Sequence, residues 1–251
     1  MSEMNDRQES LGEHHGDNPI SPVRFPDGVT PDVALEGLSA ELPSSTRRRK
    51  IALYQAIIGR GHQRILEMGC ARGDLSYALL NNAENVVAID IEASQIELAQ
   101  RRKALWSLNE QHAKKVSFMV MSAIDLKLPD EAFDWAISTS MIEHLCPQDV
   151  MTHLSEVRRV LKPGGKYLVW CPNRLGHHRD RDYHLSMLCY SEWMENLRRA
   201  GFRDFRSTLT SQLPLVDARL KVYMERLMWS AGIKILWTHL GVRNVLLVAS
   251  K

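Results

Sequence analysis

The sequence predicts an α/β protein built on a doubly wound, mostly parallel sheet of seven strands. Two observations lead to this prediction. Short apolar runs alternate with helical segments along most of the chain, and the first run ends in a glycine-bearing loop that enters a helix. Strand, tight turn and helix N-terminus in this order form a nucleotide pocket in parallel sheets. The alternation itself places helices on both faces of the sheet.

The elements follow in order. The strands are predicted at 64–68, 85–90, 115–120, 132–138, 166–171, 204–210 and 244–250, and the helices at 73–82, 92–109, 147–161, 191–200 and 215–231. A hydroxyl-rich stretch, Ser44-Ser45-Thr46, predicts a capped entry helix before the first strand. Residues 1–45 are acidic and rich in proline, so we expect a flexible segment there and one main domain over 46–251.

Composition limits the classes of protein. The four cysteines are scattered without a CxxC pair, which favours neither a disulfide framework nor a zinc knuckle. No apolar run approaches the ~20 residues of a membrane span, and a signal-peptide core is missing from the first residues. We therefore expect a cytoplasmic protein. The excess of basic residues from Arg198 onward fits a solvated face, and contact with an anionic ligand or a membrane surface stays open.

The loop after the first strand reads Glu67-x-Gly69-x-Ala71-x-Gly73, and Asp90 ends the next strand, where a ribose acceptor is expected. A P-loop would need Gly-Lys-Ser/Thr here. A dinucleotide fingerprint would need glycine where Asp74 stands, and paired carboxylates repel a pyrophosphate. The acids suit a ligand with a sulfonium, an ammonium and a ribose but no phosphate. That ligand is S-adenosylmethionine.

At this loop the chain resembles the class I methyltransferases, with alanine in place of one motif glycine. The resemblance covers roughly 47–210 and extends to Ser122-Ala123, the adenine-binding segment of the family, and to Lys162-Pro163-Gly164-Gly165. It implies a Rossmann-like methyltransferase fold with S-adenosylmethionine as the cofactor. The implied cofactor-binding residues are Glu67, Gly69, Cys70, Ala71, Gly73, Asp90, Ile91, Ser122, Ala123, Ser138 and Thr139.

Candidate catalytic residues follow the fourth strand. Histidine is a common general base, so His144 could take a proton from an acceptor, with Glu143 orienting it or acting itself. A helix-capping role for the pair stays open. Members of the quinone- and small-molecule-methylating branch (the type 11-like branch) carry the same Glu-His pair, which favours a role in the site.

A polar loop follows the fifth strand and is predicted as an acceptor lid over 172–190. Its candidate substrate-binding residues are Asn173, Arg174, His178, Tyr183 and His184. A solvated surface loop is the alternative.

An apolar, basic stretch at about 213–240 predicts a helical insertion before the last strand, suited to core packing, an acceptor cover, a dimer interface or peripheral membrane contact.

The leading hypothesis is a small-molecule methyltransferase, at oxygen before nitrogen, with carbon left open, acting as a monomer or homodimer. A non-catalytic cofactor-binding scaffold or regulator is the alternative. A metal-assisted RNA 2′-O-methyltransferase is a lesser one, because relatives of that kind bind their ion through two glutamates and histidines, and Ser140 stands where the first glutamate belongs. We therefore expect no metal. Nucleic acid is disfavoured because the basic residues are not interleaved with stacking aromatics.

Overall fold

The computed structural model describes residues 45–61, 63–105, 114–175, 184–208, 215–230 and 244–251. Its helices are α1 (Ser45–Ile58), α2 (Asp74–Leu79), α3 (Ala93–Leu105), α4 (Val150–Val160), α5 (Tyr190–Arg199) and α6 (Ala218–Ser230). Its strands are β1 (Arg64–Met68), β2 (Asn85–Asp90), β3 (Val116–Val120), β4 (Phe133–Thr139), β5 (Leu161–Pro172), β6 (Arg203–Thr208), β7 (Leu215–Asp217) and β8 (Asn244–Ser250). Two 3-10 turns, Ile142–His144 and Pro147–Asp149, precede α4.

The strands form one sheet in the order β3-β2-β1-β4-β5-β8-β6-β7. Strands β1 to β5 pair in parallel, whereas β8 runs antiparallel between β5 and β6, and β7 is antiparallel to β6. The direction of winding reverses between β1 and β4, where Met68 pairs with Ser138. Ligands of such sheets bind beyond the carboxyl ends of the strands at this reversal. The predicted doubly wound α/β fold is confirmed.

Helices cover both faces of the sheet, which explains why the central strands are apolar along their whole length. Leu66 and Met68 of β1 face the core formed with α4 and α5. Ile65, the second residue of β1, faces the opposite core, which is formed with α1, α2 and α3. Side chains alternate along a strand, so Glu67 lies on the same face as Ile65, toward α1 and α2.

The strand count differs from the prediction. Among the described residues the sheet has eight strands rather than seven, because Leu215–Asp217 pairs with β6 where the sequence predicted the start of a helix. The carboxylate of Asp217 accepts a hydrogen bond from the N–H of Arg219 at 2.8 Å. An aspartate in this position caps a helix, and α6 accordingly begins at Ala218.

Several predicted regions fall partly outside the described residues. Of the acidic segment 1–45 only Ser45 is described, and of the lid 172–190 the residues 176–183 lie outside the described part. The predicted insertion at 213–240 contributes β7 and α6. Among the helices that the structure describes, none is long and apolar enough to cross a membrane.

Candidate functional site

A tight loop joins β1 to α2 and lies across the carboxyl end of β2. The N–H groups of Gly69 and Cys70 both donate to the carbonyl of Ile89, at 2.9 and 3.0 Å. Gly69 has a φ of 72°, and a Cβ added there would lie 2.5 Å from Cγ of Met141. Only glycine combines this backbone with so close a contact. The loop is therefore packed directly against the segment that follows β4.

The same loop ends at Gly73, whose φ is 80° and whose added Cβ would lie 2.8 Å from the ring of Phe118. Between the glycines, Ala71 also has a positive φ, 46°. That conformation costs a non-glycine residue roughly 1–2 kcal/mol. The N–H of Ala71 donates to Oδ2 of Asp90 at 2.8 Å, which helps to hold it. Alanine in place of the motif glycine thus keeps the left-handed backbone.

Asp90 lies at the end of β2, beside this loop. Its Oδ1 accepts a second hydrogen bond, from the N–H of Glu92 at 3.0 Å. A carboxylate offers about four acceptor positions, so two stay available after the bonds from Ala71 and Glu92. The side chain is half-buried and is fixed at the rim of the sheet. This arrangement fits an acceptor for a ribose diol.

The other predicted acid, Glu67, is buried under the loop. The hydroxyl of Ser76 on α2 donates to its Oε2. Burial raises the pKa of Glu67 to about 8, the charges of Asp74 and Asp90 add to this rise, and the bond from Ser76 opposes it. Below that pKa the ligand-free carboxyl is mostly protonated. A cationic ligand next to it would favour the ionised form.

Asp74, the first residue of α2, is neutralised by two arginines. Nη1 of Arg102 lies 2.5 Å from one carboxylate oxygen, and Nε of Arg72 lies 3.2 Å from the other. Arg102 is itself buried and also donates to the carbonyl of Arg72 at 2.9 Å. Asp74 therefore repels an anionic ligand less than the sequence alone suggests, because α3 brings a positive charge to it.

The rim beyond β2 and β3 presents apolar side chains to solvent. Ile91 is 50% exposed and Val120 is 55% exposed. Next to them, Oγ of Ser122 accepts a bond from the N–H of Ile124 at 3.3 Å, so this serine closes a turn. Exposed apolar groups beside a few oriented polar atoms are typical of pockets for small ligands. The predicted Ile91, Ser122 and Ala123 thus lie together on this rim, and Val120 joins them.

Helix α4 holds this rim from below. Nδ1 of the buried His153 lies 2.9 Å from the carbonyl of Ala123, and its Nε2 lies 3.1 Å from the hydroxyl of Tyr167. Burial lowers the pKa of His153 to about 4, so the ring is neutral, donates through Nδ1 and accepts at Nε2. Near the end of α4, Nη2 of Arg159 donates to the carbonyl of Leu126 at 2.7 Å. Sequence reasoning missed these supports.

Two other predicted cofactor residues are interior. The side chains of Cys70 and Ser138 are buried, so only their backbone can face a ligand, and burial raises the pKa of the Cys70 thiol. Thr139 lies at the end of β4, and its Oγ1 donates a hydrogen bond to the hydroxyl oxygen of Tyr54 at 2.9 Å. Tyr54 belongs to α1, the predicted entry helix, so this hydrogen bond connects α1 to the rim.

The predicted catalytic pair lies in the 3-10 turn after β4. Glu143 is 1% exposed, whereas His144 is open to solvent. Burial raises the pKa of Glu143, and the charges of His144 and Lys50 act in the opposite direction. The ring centroids of His144 and His184 are 5.2 Å apart, edge to face. The structure therefore brings a histidine of the predicted lid to the predicted base.

The other candidate acceptor residues are placed differently. Asn173 is buried, and its Nδ2 donates to Oε1 of Glu225 on α6 at 2.6 Å, so its side chain joins β5 to α6. Arg174 is exposed and pairs with Glu192 on α5, at 2.6 Å. His178 and Tyr183 lie outside the described residues. Of the three that the structure describes, only His184 thus lies next to the predicted base.

Known proteins are similar to this chain in sequence. Residues 66–169 match the sequence profile of a family described as a methyltransferase domain. A probable S-adenosylmethionine-dependent methyltransferase of Mycolicibacterium smegmatis is 30% identical, over 62% of this chain and 58% of that protein. The O-methyltransferase resE of Aspergillus sclerotiorum is 32% identical, over 56% and 55%. The chain thus spans less than two thirds of the length of these curated relatives.

Solved structures show the same fold. Phosphoethanolamine N-methyltransferase 2 of Haemonchus contortus, in complex with S-adenosylmethionine, superposes with a TM-score of 0.61 at 16% identity, covering 90% of this chain and 61% of that one. Residues 66–169 are thus similar in sequence to S-adenosylmethionine-dependent methyltransferases, and the solved structure shares the fold. S-adenosylmethionine is the cofactor of these methyltransferases. The glycine loop from Gly69 to Gly73, Asp90 and the apolar rim fit this cofactor.

Proposed function

We propose that the protein transfers the methyl group of S-adenosylmethionine to an oxygen of a small-molecule acceptor. The main support is the contact between the glycine loop and the turn after β4. Met141, against which Gly69 is packed, stands two residues before Glu143 and three before His144. The cofactor cradle and the only pair of acid-base candidates on this rim, among the described residues, are therefore adjacent.

The cofactor site is assigned residue by residue in this proposal. Asp90 accepts hydrogen bonds from the ribose hydroxyls, while Ile91 and Val120 contact the base. The backbone of Gly69 to Gly73 approaches the ligand closely because no side chain intervenes at its two glycines. Glu67 balances the positive charge of the methionine portion. S-adenosylmethionine supplies an activated methyl group on its sulfonium, so alignment with the acceptor provides much of the acceleration.

The acceptor side uses the residues after β4. An exposed imidazole such as that of His144 is suited to take the proton of a phenol or hydroxyl as the methyl–oxygen bond forms. The buried Glu143 lies beside it in sequence and is assigned the role of orienting it. Arg174, His178, Tyr183 and His184 are assigned to the lid over the acceptor, whereas the bond of Asn173 to Glu225 suggests an anchoring role.

Relatives give further support without deciding the acceptor. The curated relative resE is an O-methyltransferase, and the matched family is a methyltransferase domain. We assign the domain to residues 46–251, with 1–45 as an appended segment. The proposed partner is a small molecule, with nucleic acid disfavoured.

The test is methyl transfer from S-adenosylmethionine carrying a deuterated methyl group to a panel of phenols, catechols, hydroxy acids and amines, read by mass spectrometry. We expect a labelled oxygen-methylated product, with turnover reduced at least tenfold in His144→Ala. The exposed variant Glu97→Gln on α3 is the control and should keep full turnover. Tight cofactor binding without transfer to any acceptor would instead favour a non-catalytic scaffold.

A further inference from the structure

Three side chains of the types that can bind a metal ion lie close together at the turn after β4. One ligand atom each of Glu143, His144 and His184 lies within 4.8 Å of the other two. Glu143 and His144 are neighbours in sequence, but His184 follows 40 positions later, within the predicted lid. Folding alone brings the third group to the first two. The mixture of one carboxylate and two imidazoles is that of catalytic zinc and related transition-metal sites.

Backbone contacts hold the two segments together without using the ligand atoms. The N–H of Ser186, two residues after His184, donates to the carbonyl of Glu143 at 3.0 Å. The hydroxyl of Ser186 donates to the carbonyl of Leu145 at 2.6 Å. Within the turn, the N–H of His144 donates to the carbonyl of Met141 at 2.9 Å. The cluster is therefore organised before any ligand arrives, which lowers the cost of binding one.

Glu143 supplies an independent indication that a cation belongs here. Its side chain is buried, and its Oε2 has no hydrogen-bond partner among the described residues. A buried carboxylate oxygen without a partner is costly. A bound cation would satisfy the buried oxygen directly.

We propose that Glu143, His144 and His184 bind one divalent transition-metal ion of the zinc class. Bonds of about 2.1 Å place the ligand atoms of a tetrahedral ion about 3.4 Å apart, so rotations of the histidine side chains close the shell. Three protein ligands leave a position open, as catalytic zinc sites require. Calcium and magnesium are not suited, because they take oxygen ligands.

The proposed site differs from the expectation from sequence that the chain holds no metal. That expectation came from Ser140, which stands where a second glutamate would be needed for a four-ligand site. The observed geometry does not need that ligand, since three groups and an open position make a complete catalytic site.

The role of the ion rests on the proposed function, although its binding does not. An acceptor hydroxyl bound at the open position would have its pKa lowered and would lose its proton to solvent. The resulting oxygen then attacks the methyl carbon, and the carbon–sulfur bond breaks to leave S-adenosylhomocysteine. With the ion bound, His144 and Glu143 act as its ligands, and the ion replaces them as the means of deprotonating the acceptor.

The test is titration of the chelator-treated full chain with Zn²⁺ by calorimetry and with Co²⁺ by its visible absorption. We expect one equivalent to bind, with a cobalt spectrum of imidazole and oxygen ligation. His184→Ala and the near-isosteric Glu143→Gln should each weaken binding at least tenfold, with circular dichroism confirming that both fold. His177→Ala, a histidine of the same loop sequence, is the control and should bind as the wild type does.

Three results would overturn the site: no saturable binding by the wild type, unchanged binding by both folded variants, or loss of binding in His177→Ala. Binding of S-adenosylhomocysteine is measured on the same chelator-treated sample. Cofactor binding without metal binding refutes the ion site alone. Metal binding without cofactor binding refutes the proposed function and leaves the ion site standing.

Discussion

The carboxylate of Asp90 accepts a hydrogen bond from the N–H of Ala71 at 2.8 Å, across the gap between the end of β2 and the glycine loop. Ala71 has a φ of 46°, so the aspartate secures a backbone conformation that alanine alone disfavours. One side chain thus shapes the loop and, in the proposed function, also binds the ribose. Losing it affects both the cradle and its ligand.

Replacement of Asp90 is expected to weaken cofactor binding. Asp90→Ala should reduce the affinity for S-adenosylhomocysteine by about 1–3 kcal/mol, the scale for removing a charged hydrogen-bond partner. Calorimetry measures this, with Asp125→Asn as control because the carboxylate of Asp125 is exposed and forms a surface ion pair with Lys127. An unchanged affinity in Asp90→Ala would mean that the ribose binds elsewhere.

A comparison of Gly73 with Gly59 separates the energetic cost of backbone strain from the cost of close packing. Gly73 and Gly59 have φ values of 80° and 76°, but an added Cβ at Gly59 would meet nothing within 4 Å. Both alanine variants should lose roughly 1–2 kcal/mol of unfolding free energy from strain. Gly73→Ala should lose about 1–3 kcal/mol more from overlap with Phe118 and Tyr77, and it should also lose cofactor affinity.

Urea unfolding and calorimetry of the two variants check this prediction. Gly59→Ala should bind S-adenosylhomocysteine as the wild type does, because Gly59 ends α1, away from the loop. Equal destabilisation of both variants would contradict the packing described for Gly73.

Adjacent arginines on α3 provide a second matched pair. Arg102 is 6% exposed in its side chain and pairs with Asp74, whereas Arg101 is 44% exposed and pairs with Glu97. Arg102→Met removes the buried cationic partner of a mostly buried Asp74, which should cost about 3 kcal/mol. Arg101→Met should cost less than about 1 kcal/mol. Chemical denaturation of both variants measures the difference, and similar losses would refute the role given to Arg102.

Glu67 should make stability depend on pH. Its pKa is raised by burial to about 8 in the folded protein, from an ordinary value of 4.5. The folded state therefore holds a proton that the unfolded state has released, so this contribution is complete below pH 4.5 and is lost as the pH rises to 8. Glu67→Gln removes the ionisation and keeps a partner for Ser76.

The unfolding free energies of wild type and Glu67→Gln should accordingly diverge between pH 5 and 8. The variant should gain on the order of a few kcal/mol relative to wild type across that range. Parallel curves would show that Glu67 titrates normally in the folded protein.

The central sheet was predictable because it is covered on both faces and is therefore apolar throughout. The predicted spans 64–68, 85–90 and 244–250 coincide with β1, β2 and β8. Strand β7 was missed because three residues carry too little periodicity, and Val216 is held in the sheet by pairing with Ser207. Such pairing is a tertiary effect that local sequence does not encode.

The candidate site was only partly predictable. The glycine loop and Asp90 have fixed spacing along the chain, so sequence reveals them together. The partners of Asp74 and Ala123, which are Arg102 and His153, come from distant helices. Asn173 looked like an acceptor ligand because its loop is polar, yet its partner Glu225 lies 52 residues away. A polar residue in sequence does not reveal whether its partner is a ligand or another side chain.

The most direct test is a crystal structure of the full chain with S-adenosylhomocysteine. We expect the ribose hydroxyls within hydrogen-bond distance of the Asp90 carboxylate, the base against Ile91 and Val120, and the sulfur facing the turn that carries Glu143 and His144. Density for the ligand in any other place, with the Gly69–Gly73 loop empty, would contradict the cofactor site and the methyl transfer built on it.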